Sequence, residues 1–159
     1  MNQVCFDRVR ELLPQTYPML MVDRVLDWSA GSCIRALRSV TGNDPLINGH
    51  FKQGAVVPGA LIVEGIAQSA LLLMLLTHAD ATSSDTYVLG SIKARFLHPV
   101  TPGDQLIYEV ILERAVDAGA LFSGHANVLE KRVASCELLV ATIRGPVTGR
   151  AKMTLNGCG

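Results

Sequence analysis

Apolar positions along the chain recur with two different periods. Phe6, Val9, Leu12 and Leu13 fall at helical spacing and Pro14 stops them, which predicts a short helix over 6–13. Met19 to Trp28 reads as a strand, Gly31 as a turn, and Ser32 to Thr41 as the antiparallel partner, with apolar and polar residues alternating. A loop rich in Gly, Asn, Asp and Pro fills 42–57, long enough for a compact domain that a functional role is expected of it. Pro58 stands where a helix can begin, and the apolar stretch after it predicts a helix to His78, hydrophobic over most of its circumference and therefore buried nearly all round. A polar patch, Ala79 to Asp85, follows. Four strand-like runs come next: Tyr87 to Leu97, Gln105 to Arg114, Ala120 to Lys131 and Arg132 to Arg144, with a Thr101-Pro102-Gly103-Asp104 turn between the first two.

This order predicts an α+β fold in which a curved antiparallel sheet of about six strands wraps one long central helix. A helix of about 20 residues is ~30 Å long, and such a sheet covers only part of it. The uncovered apolar face calls for a partner, and a second identical chain is the simplest source. Residues 1–145 are expected to form a single domain and 146–159, which are turn-rich, a loose C-terminal tail.

Composition narrows the reading. Hydrophobic residues make up 49% of 159 positions and charged ones only 18%, below the usual share of roughly a quarter, and mean hydropathy is +0.31. Disorder and a disulfide scaffold are excluded, and apolar surface buried between subunits is expected. Fourteen basic residues balance fourteen acidic ones, without the basic excess that nucleic-acid binding requires. Cys5, Cys33, Cys136 and Cys158 are isolated, so they read as reduced and mostly buried, and no cysteine or histidine cluster has metal-ligand spacing. Ala60 to Leu76 is apolar enough to suggest a membrane span, but Glu64, Gly65, Gln68 and Ser69 interrupt it. A buried core helix is the better reading. Asp7 and Glu11 fall where a signal peptide needs its apolar stretch, so a cytoplasmic protein is expected.

Three places could carry chemistry. Glu64, in LIVEGIAQ, has apolar neighbours on both sides, and Gln68 shares its helix face at i+4. Either they mark a narrow wet stripe, or Glu64 is a catalytic carboxyl facing an active-site tunnel. His50, in Asn48-Gly49-His50-Phe51, is either an ordinary turn residue or a base brought near Glu64 by the fold. Among the other histidines, His78 fits a helix C-cap, His98 precedes Pro99 and His125 falls in a strand. Val57-Pro58-Gly59 is either a plain helix start or a place where a ligand carbonyl approaches unpaired N–H groups. Nucleophile-elbow, P-loop and dinucleotide-binding glycine motifs do not occur, and no cofactor is implied.

LPQTYPMLMVDRVLDW, INGHFKQGAVVPGALIVEGIAQSA and RFLHPVTPGDQLIYEV, taken in order, resemble the FabZ-like 3-hydroxyacyl-[acyl-carrier-protein] dehydratases. The likeness runs from about Val9 to Arg144 and implies the hotdog fold, a long helix wrapped by a curved antiparallel sheet. It implies that His50 and Glu64 are the catalytic pair, that the Gly59 N–H polarises the thioester carbonyl, and that Gln68 and Phe51 support them. The partners implied are acyl carrier protein bearing a phosphopantetheine-linked acyl group, and other hotdog subunits: a homodimer, a trimer of dimers, or a heteromer. In such dimers the histidine and glutamate that meet come from different subunits.

The chain departs from the family pattern at Lys52, at Gly54-Ala55, at Gln15, and at Leu97 and His98, where two arginines are usual. These departures point toward a specialised pathway such as polyketide or aryl polyene synthesis. A hotdog thioesterase and a catalytically silent hotdog subunit are the alternative readings.

Overall fold

The computed structural model describes residues 2–50, 53–78, 86–116 and 118–143. In chain order the elements are α1 (Phe6–Leu12), β1 (Arg24–Ser29), β2 (Cys33–Ser39), α2 (Pro45–Asn48), α3 (Gly59–Thr77), β3 (Thr86–Phe96), β4 (Gln105–Val116), β5 (Gly119–Val128) and β6 (Lys131–Ile143). The six strands form one antiparallel sheet in the order β1-β2-β4-β5-β6-β3. The expected polar patch at Ala79–Asp85, Phe51 and the tail from 146 onward lie outside the described residues.

The helix α3 forms because its residues are mostly Leu, Ala, Ile and Met, with no proline between Gly59 and Thr77. Pro58 is its N-cap rather than its first turn, one residue later than the sequence suggests. Its last turn is closed by His78 N–H donating to the Met74 carbonyl, and Thr77 Oγ1 accepts from Gly31 N–H, tying the β1–β2 turn to the helix end. All strands except β1 pack against α3, and Ile66, Leu72 and Leu73 are almost completely buried among them. Each such side chain contributes about 1.5–3 kcal/mol of transfer free energy. Although α3 is long and apolar enough to cross a membrane, the sheet encloses it as the core helix.

β5 shows why the sheet has two unlike faces. Ala120, Phe122, Gly124 and Ala126 are buried, while the residues between them are partly exposed, a period of two. The outward row across the sheet is polar: Arg35, Glu109, His125, Ser135 and Arg95 are in register on successive strands. Between β5 and β6 the chain turns at Leu129 and Glu130, both with positive φ, so β5 stops short of the expected Lys131.

Three expectations need correction. Met19 to Asp23 is not strand: its backbone bonds are made to the Gln68 side chain as well as to β2, and regular ladder pairing starts only at Arg24. The loop at 42–57 holds a short helix, α2, because Asp44 caps it and Pro45 presets its first turn. Of the cysteines, Cys5 and Cys33 are exposed and only Cys136 is buried, Cys158 lying outside the described residues. Burial pushes the Cys136 thiol up to about 11, which makes it inert at neutral pH.

Candidate active site

His50 is placed by α2. Asp44 Oδ1 accepts the Leu46 N–H at 2.9 Å, Gly49 N–H donates to the Pro45 carbonyl at 3.2 Å, and His50 N–H donates to the Ile47 carbonyl at 3.1 Å. Asn48 Nδ2 donates to the Gly42 carbonyl at 3.0 Å, closing the loop on itself. Ile47 is the buried anchor, and His50, two residues beyond the helix, is exposed in the protomer.

His50 opens onto a cavity of about 470 Å³ that Gly59, Ile62, Phe96, Leu97 and His98 also line. Gly59 is the first residue of α3, where backbone N–H groups have no partner within the helix. The Phe96 ring lies against it so closely that a Cβ there would stand 2.7 Å from a ring carbon. A side chain at this position would require the exposed Phe96 ring to move aside. His98, which precedes Pro99, also belongs to this cavity, whereas His125 Nε2 lies at hydrogen-bond distance, 2.8 Å, from Glu109 Oε2 on the outer sheet face. His78 is the C-cap of α3, as expected.

Glu64 is half-buried and lines a different and much smaller cavity, about 60 Å³, with Gln15, Gln68, Leu71, Tyr87 and Leu89. Its Oε1 accepts from Gln68 Nε2 at 2.8 Å. The Gln68 amide is almost fully buried, and its orientation is forced: Oε1 accepts the Met21 N–H at 2.8 Å, while Nε2 donates to the Met19 carbonyl at 2.7 Å. An N–H therefore faces Glu64 and is donated to its Oε1. Nothing in the local sequence announces that the Met19–Met21 backbone is what orients Gln68, because the contact spans 47 residues.

Gly59 and Glu64 are five residues apart on α3, which turns their side-chain directions by about 140°. The cavities of His50 and Glu64 have no lining residue in common. Within one protomer, the base candidate and the acid candidate thus face separate spaces. Phe51, expected in support, lies outside the described residues.

A long core helix wrapped by a six-stranded antiparallel sheet defines the hotdog class. Residues 13–137 match the FabA-like domain family. The 3-hydroxyacyl-[acyl-carrier-protein] dehydratase FabZ of Actinobacillus pleuropneumoniae serotype 5b is 38% identical over 134 residues, covering 84% of this chain and 87% of that protein. FabZ of Janthinobacterium sp. (strain Marseille) is 42% identical over 116 residues, covering 72% and 74%. Among solved structures, the dehydratase heterocomplex ApeI:P from Xenorhabdus doucetiae superposes with a TM-score of 0.74 at 17% identity, covering 86% of this chain and 91% of that one. The chain belongs to the FabA-like family, in its FabZ-like hotdog dehydratase branch.

Proposed function

We propose that the protein dehydrates a (3R)-3-hydroxyacyl thioester, presented by acyl carrier protein through its phosphopantetheine arm, to the trans-2-enoyl thioester in fatty-acid or polyketide-type synthesis in the cytoplasm. The observation that carries this reading is the cavity in which His50 and the N-terminus of α3 at Gly59 lie together. A thioester carbonyl accepting the Gly59 N–H has its developing negative charge stabilised by the helix dipole, which acidifies the neighbouring α-proton. Neutral His50 takes that proton. Glu64 gives the proton on Oε2 to the departing 3-hydroxyl, water leaves, and the double bond forms between Cα and Cβ. Return of the proton from His50 to Glu64 resets the site. The relatives' names and the FabA-like match support the choice of substrate.

The acid must come from a second copy, since Glu64 of the same chain faces away. β3 supplies the surface: it ends the sheet, with β6 as its one neighbour among the described residues, and Leu89, Ile92 and Phe96 along it are 41–55% exposed. An 11-residue edge strand of this kind pairs with its own copy in an isologous, two-fold dimer, the unit from which a trimer of dimers is built. Each dimer then holds two sites, each combining His50 and Gly59 of one protomer with Glu64 and Gln68 of the other.

The reaction is tested in reverse. With a short trans-2-enoyl coenzyme A or carrier-protein thioester, the conjugated enoyl absorbance falls and no free thiol appears. The described cavity contains no serine or cysteine beside His50 to form an acyl-enzyme. Thiol release without enoyl loss would make the protein a thioesterase, and neither signal would make it a silent subunit.

A further inference from the structure

Arg38, on β2, is 5% exposed, the one charged residue buried among the described residues. Burying a guanidinium is costly unless its donors are satisfied, so its partners show what it is there to hold. Nη2 donates to Asp44 Oδ2, in an ion pair whose side chains are 6% and 13% exposed. Nη1 points at Met21 Sδ. The Tyr108 phenol, fully buried on β4, lies close enough to the guanidinium for that charge to offset part of the rise that burial causes in its pKa, although its hydroxyl has no well-aligned hydrogen-bond partner.

Both partners lead to the candidate chemistry. The carboxylate that pairs with Arg38 through Oδ2 caps α2 through Oδ1, and α2 ends two residues before His50. Met21 gives its backbone N–H to Gln68 Oε1, the bond that turns the Gln68 amide toward Glu64. We propose that Arg38 is a positioning residue for both halves of the reaction: through Asp44 it fixes the approach of His50, and through Met21 it fixes the amide that orients Glu64. The inference rests on the dehydratase reading. It adds that one buried cation holds the base of one shared site and the acid of the other. A guanidinium suits this because its planar fork reaches two partners at once, while an ammonium on the same stem reaches one.

Arg38→Met, Arg38→Lys and Asp44→Asn test it in the intact oligomer, by NMR-detected amide hydrogen exchange and by steady-state hydration of a trans-2-enoyl thioester. In Arg38→Met the amides of 46–50 and of Met21 exchange at least about tenfold faster while β4–β6 keep their protection, because the opening is local. Its kcat falls about 100-fold with KM within about threefold, since misplacement of reacting groups by about 1 Å costs that much and binding is untouched. Asp44→Asn, which keeps the cap, speeds exchange at 46–50 but not at Met21. Arg38→Lys does the reverse and keeps an intermediate kcat.

Exchange that is unchanged at both places, or that rises uniformly through the sheet, overturns the proposal. So does a folded variant whose melting point falls while kcat stays within about threefold of wild type. If Arg38→Met fails to fold, Asp44→Asn and Arg38→Lys decide the two arms separately. An inactive wild type would sink the dehydratase reading, and the exchange pattern would still decide whether Arg38 anchors the two segments.

Discussion

His50→Ala and Glu64→Ala each lower kcat for enoyl hydration by about 10²–10⁴-fold, the usual worth of a positioned general base or acid. KM moves little, because neither side chain supplies the binding energy of the acyl chain or its carrier. Both variants remain folded: His50 is exposed beyond α2, and loss of the Glu64 carboxyl leaves Gln68 with its Met19 and Met21 bonds. Steady-state rates beside thermal melts check this. Retention of more than about a tenth of the wild-type rate by either variant removes it from the proton-transfer scheme.

Gly65→Ala is expected to destabilise the fold strongly, although it adds a single methyl group. A Cβ at Gly65 would stand 2.2 Å from Tyr108 Cζ and 2.3 Å from its hydroxyl oxygen. Tyr108 cannot swing aside, since it is completely buried on β4, and α3 cannot lift without opening its contacts to β2 through β6. Overpacking of this kind costs about 3 kcal/mol, or roughly 6–12 °C in Tm for a chain of this size. Melting at fixed protein concentration tests it, and Gly65→Ala combined with Tyr108→Leu recovers part of the loss. An unchanged melting point would mean that α3 does not lie this close to β4. Activity falls with stability, because Gly65 adjoins Glu64 on the helix.

How much of this was legible in the sequence depended on whether the signal was local. α3 declared itself through an apolar run too long and too nearly uniform for a surface helix, and β3 to β6 through alternation between turns. Those strands lie within three residues of where periodicity placed them. The Gly59, Glu64 and Gln68 positions on α3 followed from that run together with the family resemblance. The strand order did not follow: local alternation does not say that β3 crosses to the far edge while β4 returns beside β2.

Met19 to Asp23 carries a strand-like pattern, yet part of its backbone bonding goes to a helix side chain, a choice made by tertiary packing. Asp44-Pro45 was a readable helix start that the loop-like composition around it obscured. The ring of Phe96 over Gly59 and the buried Arg38 had no local signal, since a charged residue in an alternating strand reads as solvent-facing. Exposure of Cys5 and Cys33 likewise depended on which face of the fold each reached.

In the proposed dimer each site is shared, with His50 from one protomer and Glu64 from the other. Subunit exchange between His50→Ala and Glu64→Ala tests it most directly. Random mixing makes half the dimers hybrid, and each hybrid has one intact site and one doubly deficient site, so activity should rise from near zero to about a quarter of the wild-type value. A mixture that stays at the level of its parents, although mass spectrometry shows hybrid dimers present, would contradict the shared site.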